Sequence, residues 1–231
     1  MNKQVVFVIG SKPEAVFPDV APGYVYAANG SIARAQDFLQ DAHVTGVVLN
    51  RFFAADDRER QSSTAKTLKG CQVNRLVISG GARRKSGIDA PGQRGLTCEQ
   101  VVRLSRLRSV ALKLRHASWG RLLRNLDFRP HPKEDGRLIT RISRTRSLPA
   151  LGISTGMLAV LLALKEHPKA TIYVIGIGLD PTAGQFHDHT VSLRFHVEAD
   201  RVMIDDLRGR VDSRQLVFTD PELSSYVATP R

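Results

Sequence analysis

A chain of 231 residues, 42% hydrophobic and 24% charged, has the makeup of a folded globular protein, which excludes a disordered tail and a fibrous repeat. Its 34 Lys and Arg against 22 Asp and Glu give a formal net charge of +12, so the expected partner is anionic: nucleic acid, a lipid surface, or a negatively charged nucleotide or sugar. The longest apolar run, near residues 157–164, is too short to span a bilayer, and the start Met-Asn-Lys-Gln leads into a strand pattern rather than a secretory signal, so a cytoplasmic protein is expected.

One domain covering 1–231 fits this length, since single cores grow to about 250 residues before splitting. Cys71 and Cys98 are too few for a disulfide framework and read as small buried hydrophobes in a reducing compartment. Residues 4–9 (Gln-Val-Val-Phe-Val-Ile) form a β-branched run stopped by Gly10, the pattern of a buried parallel strand. A second extended segment, 23–28, ends at Asn29-Gly30, and Ser31 is placed to cap a helix over 32–41. Short strands follow at 46–50, ending in Asn50, and at 75–79, ending in Gly80-Gly81.

Residues 82–95, rich in Gly, Arg, Lys and Pro, read as a loop, and 97–126 as a basic helical stretch. Residues 129–134 carry two prolines and read as a turn, while 137–147 fit either a strand or a loop. Together, 82–149 is expected to be a basic, mostly helical insertion or lid. Between Arg103 and Pro149 there are 13 Lys and Arg but only three acids, Asp127, Glu134 and Asp135, so this stretch holds +10 of the net +12. Regular patterning resumes with Ser154-Thr155-Gly156 ahead of an apolar helix over 157–167, then a strand over 171–175 closed by Gly176-Ile177-Gly178. A polar loop over 181–196 holds His187, His189 and His196; a helix over 199–208 and a short strand over 215–219 end the pattern. Strands alternating with helices predict an α/β fold with a doubly wound, mostly parallel, Rossmann-like sheet.

Ligands of such sheets bind at the carboxyl ends of the strands. Those ends carry Gly10-Ser11, Asn29, Asn50 and Gly176, where glycine lets backbone approach a ligand and an amide side chain supplies both donor and acceptor. The first loop has neither the dinucleotide glycine pattern nor a phosphate-loop lysine motif. Ser154, Thr155 and Gly156 open a helix, a place that suits an anion as well as simple capping. His187, His189 and His196 are candidates for a general base and for phosphate contacts. His187-Asp188-His189 has no third ligand at recognisable spacing, and Asp56-Asp57 and Asp205-Asp206 do not form an Asp-x-Asp clamp, so no metal site is expected.

The run from Ser154-Thr155-Gly156 through Leu164, followed by Ile172-Tyr173-Val174-Ile175-Gly176-Ile177-Gly178, resembles the small sialyl-motif of animal-type sialyltransferases and the Thr-Ser-Gly-helix-strand-Gly segment of bacterial single-domain sialyltransferases. Val6-Phe7-Val8-Ile9-Gly10-Ser11 with Asn29 resembles their first strand, loop and nucleotide-binding Asn. Val48-Leu49-Asn50 resembles the next strand and its Asn. His196 resembles the catalytic His that precedes a helix, and Asp220-Pro221-Glu222-Leu223 fits the bacterial pattern. The likeness covers 4–53 and 151–225. Arg201 stands where the animal-type motif has an acid, and that family's linking cysteine pair is absent.

The resemblance implies the GT-A-like variant of the fold typical of sialyltransferases. It also implies a metal-independent glycosyltransferase that takes an acidic sugar, sialic acid or a Kdo-like ulosonic acid, from a CMP-activated donor to a glycan or glycolipid acceptor in bacterial surface polysaccharide synthesis. The CMP-sugar is the substrate, and no separate cofactor is implied. Gly10, Ser11, Asn29 and Asn50 would hold nucleotide and donor sugar, with Ser154, Thr155, Gly156 and Gly176 on the cytidine or phosphate side. His196 would be the base, and His187 and His189 would face the leaving phosphate. Some transferases of this wider group retain configuration through a carboxylate nucleophile. The basic stretch 103–146 suits the anionic inner face of a cell membrane, where a glycolipid acceptor resides. The alternative is a basic α/β nucleic-acid-binding protein, against which Trp119 and Phe128 are sparse as stacking aromatics.

Overall fold

The computed structural model describes residues 4–53, 62–80, 90–117, 152–179, 196–212, 214–221 and 223. Among them are seven strands: β1 (Val5–Ile9), β2 (Tyr24–Ala28), β3 (His43–Leu49), β4 (Gln72–Ser79), β5 (Thr97–Leu104), β6 (Thr171–Ile175) and β7 (Leu216–Phe218). All pair in parallel, in the order β5-β4-β3-β2-β1-β6-β7. The chain lays strands outward from β1 to β5, then crosses back to add β6 and β7 on the other side of β1. This is the expected doubly wound, Rossmann-like sheet, and its winding reverses between β1 and β6.

Side-chain alternation splits the core into two layers. Val6, Val8, Ile172 and Val174 face one side of the sheet, while Phe7, Ile9 and Ile175 face the other. The first side is covered by α2 (Arg106–His116), α3 (Thr155–Glu166) and α4 (Val197–Arg208). Residues 157–164 of α3 are buried all round, because this helix lies between the sheet and its neighbouring helices. The second side is covered by a 3-10 helix over Asn29–Phe38 and by α1 (Ser63–Leu68). No helix among the described residues is long and apolar enough to cross a membrane.

Two local expectations are corrected. Residues 97–104 are a strand, not helix: β5 pairs with β4 along its length, so this part of the basic stretch belongs to the sheet, and helix begins only at α2. Residues 118–149 lie outside the described residues. The segment after β2 enters a 3-10 helix at Asn29, so Ser31 lies inside it rather than capping an α-helix. The Ser31 hydroxyl instead meets the carbonyls of Ile9 and Ala28, each at 2.7 Å, joining the ends of β1 and β2.

Candidate functional site

A cavity of about 290 Å³ opens over the carboxyl ends of the strands where the winding reverses. Its floor is made by Gly10 and Ser11 after β1 and by Gly176, Ile177 and Gly178 after β6. Those ends meet closely. Gly10 donates its N–H to the Ile175 carbonyl at 2.7 Å, and Lys12 donates to the Gly176 carbonyl at 2.9 Å. A Cβ on Gly10 would fall on the Gly176 carbonyl oxygen, and Gly176 itself sits at φ 65, so both positions need glycine.

The first loop is braced from outside the cavity. Lys12 pairs with Asp220, Nζ to Oδ2 at 2.5 Å, and Asp220 is only 4% exposed. Arg34 donates to the carbonyls of Lys12 and Pro13 at 2.8 and 2.5 Å. Asp220, part of the sequence resemblance, thus ties the segment after β7 to the loop after β1.

Asn29 lines the cavity at the end of β2, carried between the two strand ends that Ser31 bonds. It holds a left-handed φ of 50, a conformation that Asn tolerates better than most residues. Its Oδ1 is buried and has no hydrogen-bond partner among the described residues. A buried, unsatisfied acceptor is disfavoured in a finished core and suits a site that receives a donor group from a ligand. Asn50 does not line the cavity. It starts a short 3-10 turn with its Cβ packed toward Gly80, and its neighbours Leu49 and Arg51 reach the cavity instead.

The opposite wall is the start of α3. Ser154 is its N-cap, accepting from the Met157 N–H at 3.0 Å. The capping role of Ser154 is therefore real, and the N–H groups of Thr155 and Gly156, which have no carbonyl one turn back, remain as the first-turn donors beside the cavity. Asp200 of α4 reaches the same corner: its Oδ1 accepts from the Ser154 N–H at 2.7 Å, and the residue is 2% exposed.

His196 sits at the N-cap position of α4 and lines the cavity, half-buried, with no capping bond from its side chain. His196 and Asp200 stand one helical turn apart, so both look into the same space. Lys113 enters from α2, Arg51 from the turn after β3, and the buried Ser79 from the end of β4. Burial pushes the Lys113 ammonium below the usual lysine range, and the nearby Asp200 carboxylate opposes that shift without cancelling it.

The structure thus gathers Gly10, Ser11, Asn29, Ser154, Thr155, Gly156, Gly176 and His196 around one cavity, out of segments separated by most of the chain. His187 and His189 lie outside the described residues. Lys113, Asp200, Arg51 and Ser79 are lining residues that the sequence reading passed over. The available signal was the His196/Asp200 spacing of four on a helix; for Lys113 no local pattern existed. Among the described residues, no group of three or more His, Cys, Asp or Glu is placed to hold a metal ion. Comparison with family models, curated proteins and solved structures returns no match.

Proposed function

We propose that the protein is a sialyltransferase-like glycosyltransferase, moving an acidic sugar from a CMP-activated donor to a glycan or glycolipid hydroxyl. The observation that carries this reading is the single cavity at the reversal of the sheet. It joins eight of the site residues that the resemblance implies, and at its walls it has a base candidate, two helix N-termini and an amide oxygen with no partner among the described residues. Asn29 Oδ1 would accept from an amino or hydroxyl donor of the nucleotide. The Thr155 and Gly156 N–H groups would meet phosphate oxygens.

His196 would act as the base. The acceptor hydroxyl oxygen attacks the anomeric carbon, the bond from that carbon to the phosphate oxygen breaks, CMP departs with the electron pair, and the hydroxyl proton passes to the imidazole. Arg51 and Lys113 would supply positive charge where negative charge develops on the leaving phosphate. A carboxylate nucleophile, as a retaining reaction requires, has one cavity-lining candidate among the described residues, Asp200. Its Oδ1 is engaged by the Ser154 N–H, which favours the histidine-base reading.

The test is CMP release from CMP-activated sialic acid and CMP-activated Kdo in the presence of candidate glycan acceptors, followed by the anomeric configuration of the product. Release coupled to product, with inversion, supports the reading. No release from either donor, together with tight salt-sensitive binding to plain DNA, would instead favour a nucleic-acid-binding protein.

A further inference from the structure

The described part of the basic stretch ends in α2, and the side chains of that helix divide by face. Ser109 and Leu112 are buried. Leu107, Ala111 and Arg115 recur one turn apart on the other side, with Arg108 beside them, and all four are exposed. Leu107 is 70% exposed, the most of any large apolar residue among those described. One exposed leucine is ordinary on a protein surface, but this one stands in a face whose only charges are positive. α2 carries Arg106, Arg108, Lys113 and Arg115 and no Asp or Glu. Arg106 and Arg108 occupy its first turn, where the helix dipole favours acids, so these cations are not placed for the stability of the helix. The exposed Arg103 precedes them on β5.

A helix face that combines an exposed apolar side chain with arginines matches an anionic lipid surface in charge. The guanidinium groups meet headgroup phosphates, and the leucine enters the acyl boundary. A nucleic acid would engage the same arginines but offers no apolar layer to Leu107, and α2 has no Phe, Tyr or Trp on which a base could stack. We infer that the outward face of α2 docks on an anionic lipid surface, with Leu107 as its apolar anchor and Arg108 and Arg115 as its phosphate contacts. Leu104, just ahead of α2, pairs with the cavity-lining Ser79, so the helix starts at the end of the sheet over which the cavity opens. Docking sets that end beside the lipid. That the lipid carries the glycan acceptor rests on the function proposed above; the docking itself does not.

The experiment measures co-sedimentation of the full chain with vesicles of phosphatidylcholine mixed equally with phosphatidylglycerol, and with vesicles of phosphatidylcholine alone. Wild type is compared with Leu107→Gln, Leu107→Phe and the pair Arg108→Gln with Arg115→Gln, alongside calorimetry with CMP. Wild type should bind the anionic vesicles and not the neutral ones. Leu107→Gln should bind about ten-fold more weakly and Leu107→Phe at least as tightly as wild type. The double arginine variant should bind roughly thirty-fold more weakly, with a shallower salt dependence. Melting temperatures and CMP affinity should stay at wild-type values throughout. Wild-type vesicle binding by Leu107→Gln would overturn the inference, as would a marked fall in its melting temperature, which would make Leu107 a packing residue. So would a wild type that binds both vesicle types equally, or neither, or that prefers double-stranded DNA to the anionic vesicles. If wild type docks through Leu107 but ignores CMP, the proposed function falls and this inference stands; if it binds CMP but no vesicle, the reverse holds.

Discussion

His196 occupies the N-cap position of α4 and lines the cavity, and its side chain makes no capping bond to that helix. Removing the ring should therefore leave the helix intact. We expect His196→Ala to lower turnover with a CMP-sugar by about 10²–10⁴-fold, the usual contribution of a general base, with melting temperature and CMP affinity close to wild type. Full activity in that variant would remove the histidine-base mechanism and leave Asp200→Asn as the next variant to assay. Gly10 behaves differently. Its missing side chain is what allows β1 and β6 to close under the cavity, because a Cβ there meets the Gly176 carbonyl, which cannot swing aside, as well as the Ile177 side chain. Gly10→Ala should destabilise the fold by about 1–3 kcal/mol and abolish ligand binding, as read by denaturant unfolding and calorimetry. A variant with wild-type stability and binding would mean that the two strand ends are not held together as described.

The elements differ in what each contributes and in how visible each was beforehand. Strands β1 and β6 announce themselves as apolar β-branched runs because both are central and covered on both faces. β5 does not: Thr97-Cys98-Glu99-Gln100-Val101-Val102-Arg103-Leu104 is an edge strand with every residue at least partly exposed, so no apolar run marks it, and its charge suggests a helix surface. Arg103 and Arg108 are exposed on β5 and α2, away from the cavity wall that Lys113 joins. Replacing Arg103, Arg106 and Arg108 together by Gln should weaken binding to anionic vesicles and leave CMP affinity nearly unchanged. An equal loss of CMP affinity would contradict that division of labour.

At the far end of α3, Tyr26 donates to Glu166 at 2.5 Å, Arg75 bonds the same carboxylate oxygen at 2.5 Å, and His167 Nε2 lies 3.0 Å from the Tyr26 oxygen. Burial lowers the affinity of His167 for a proton; Glu166 opposes this, and Arg75 and His43 reinforce it. The folded protein thus favours neutral His167 relative to the unfolded chain. Its stabilising contribution is present above the unfolded value of about 6.5 and is lost as pH falls through the lower folded value. His116, buried near Arg115 and Arg210, shifts in the same direction. Unfolding midpoints should fall between pH 7 and pH 5, and His167→Gln should flatten that slope in part. An unchanged slope would remove His167 from the acid response.

In the whole molecule, the sheet is the reason residues far apart in sequence share one space. A parallel sheet that reverses direction leaves a crevice beside β1, and everything placed after β1, β2 and β6 faces it. That logic made Gly10, Asn29 and Gly176 readable from strand ends alone. Asn50 is not among the cavity-lining residues, because the turn after β3 brings Arg51 rather than Asn50 to the cavity. Lys113 and Asp200 were not legible because their meeting depends on how α2 and α4 pack, a property of tertiary structure rather than of local pattern. The proposed function requires this crevice to be a cytidine-nucleotide site. Thermal unfolding of the full chain with CMP and CDP, beside UDP, GDP and S-adenosylmethionine, tests it most directly. Ligand at about 100 times its dissociation constant adds about 2.7 kcal/mol, enough for a melting shift of several degrees. The account predicts that shift for CMP and CDP and little for the others; an equal response to all the nucleotides, or a response to S-adenosylmethionine alone, would contradict it.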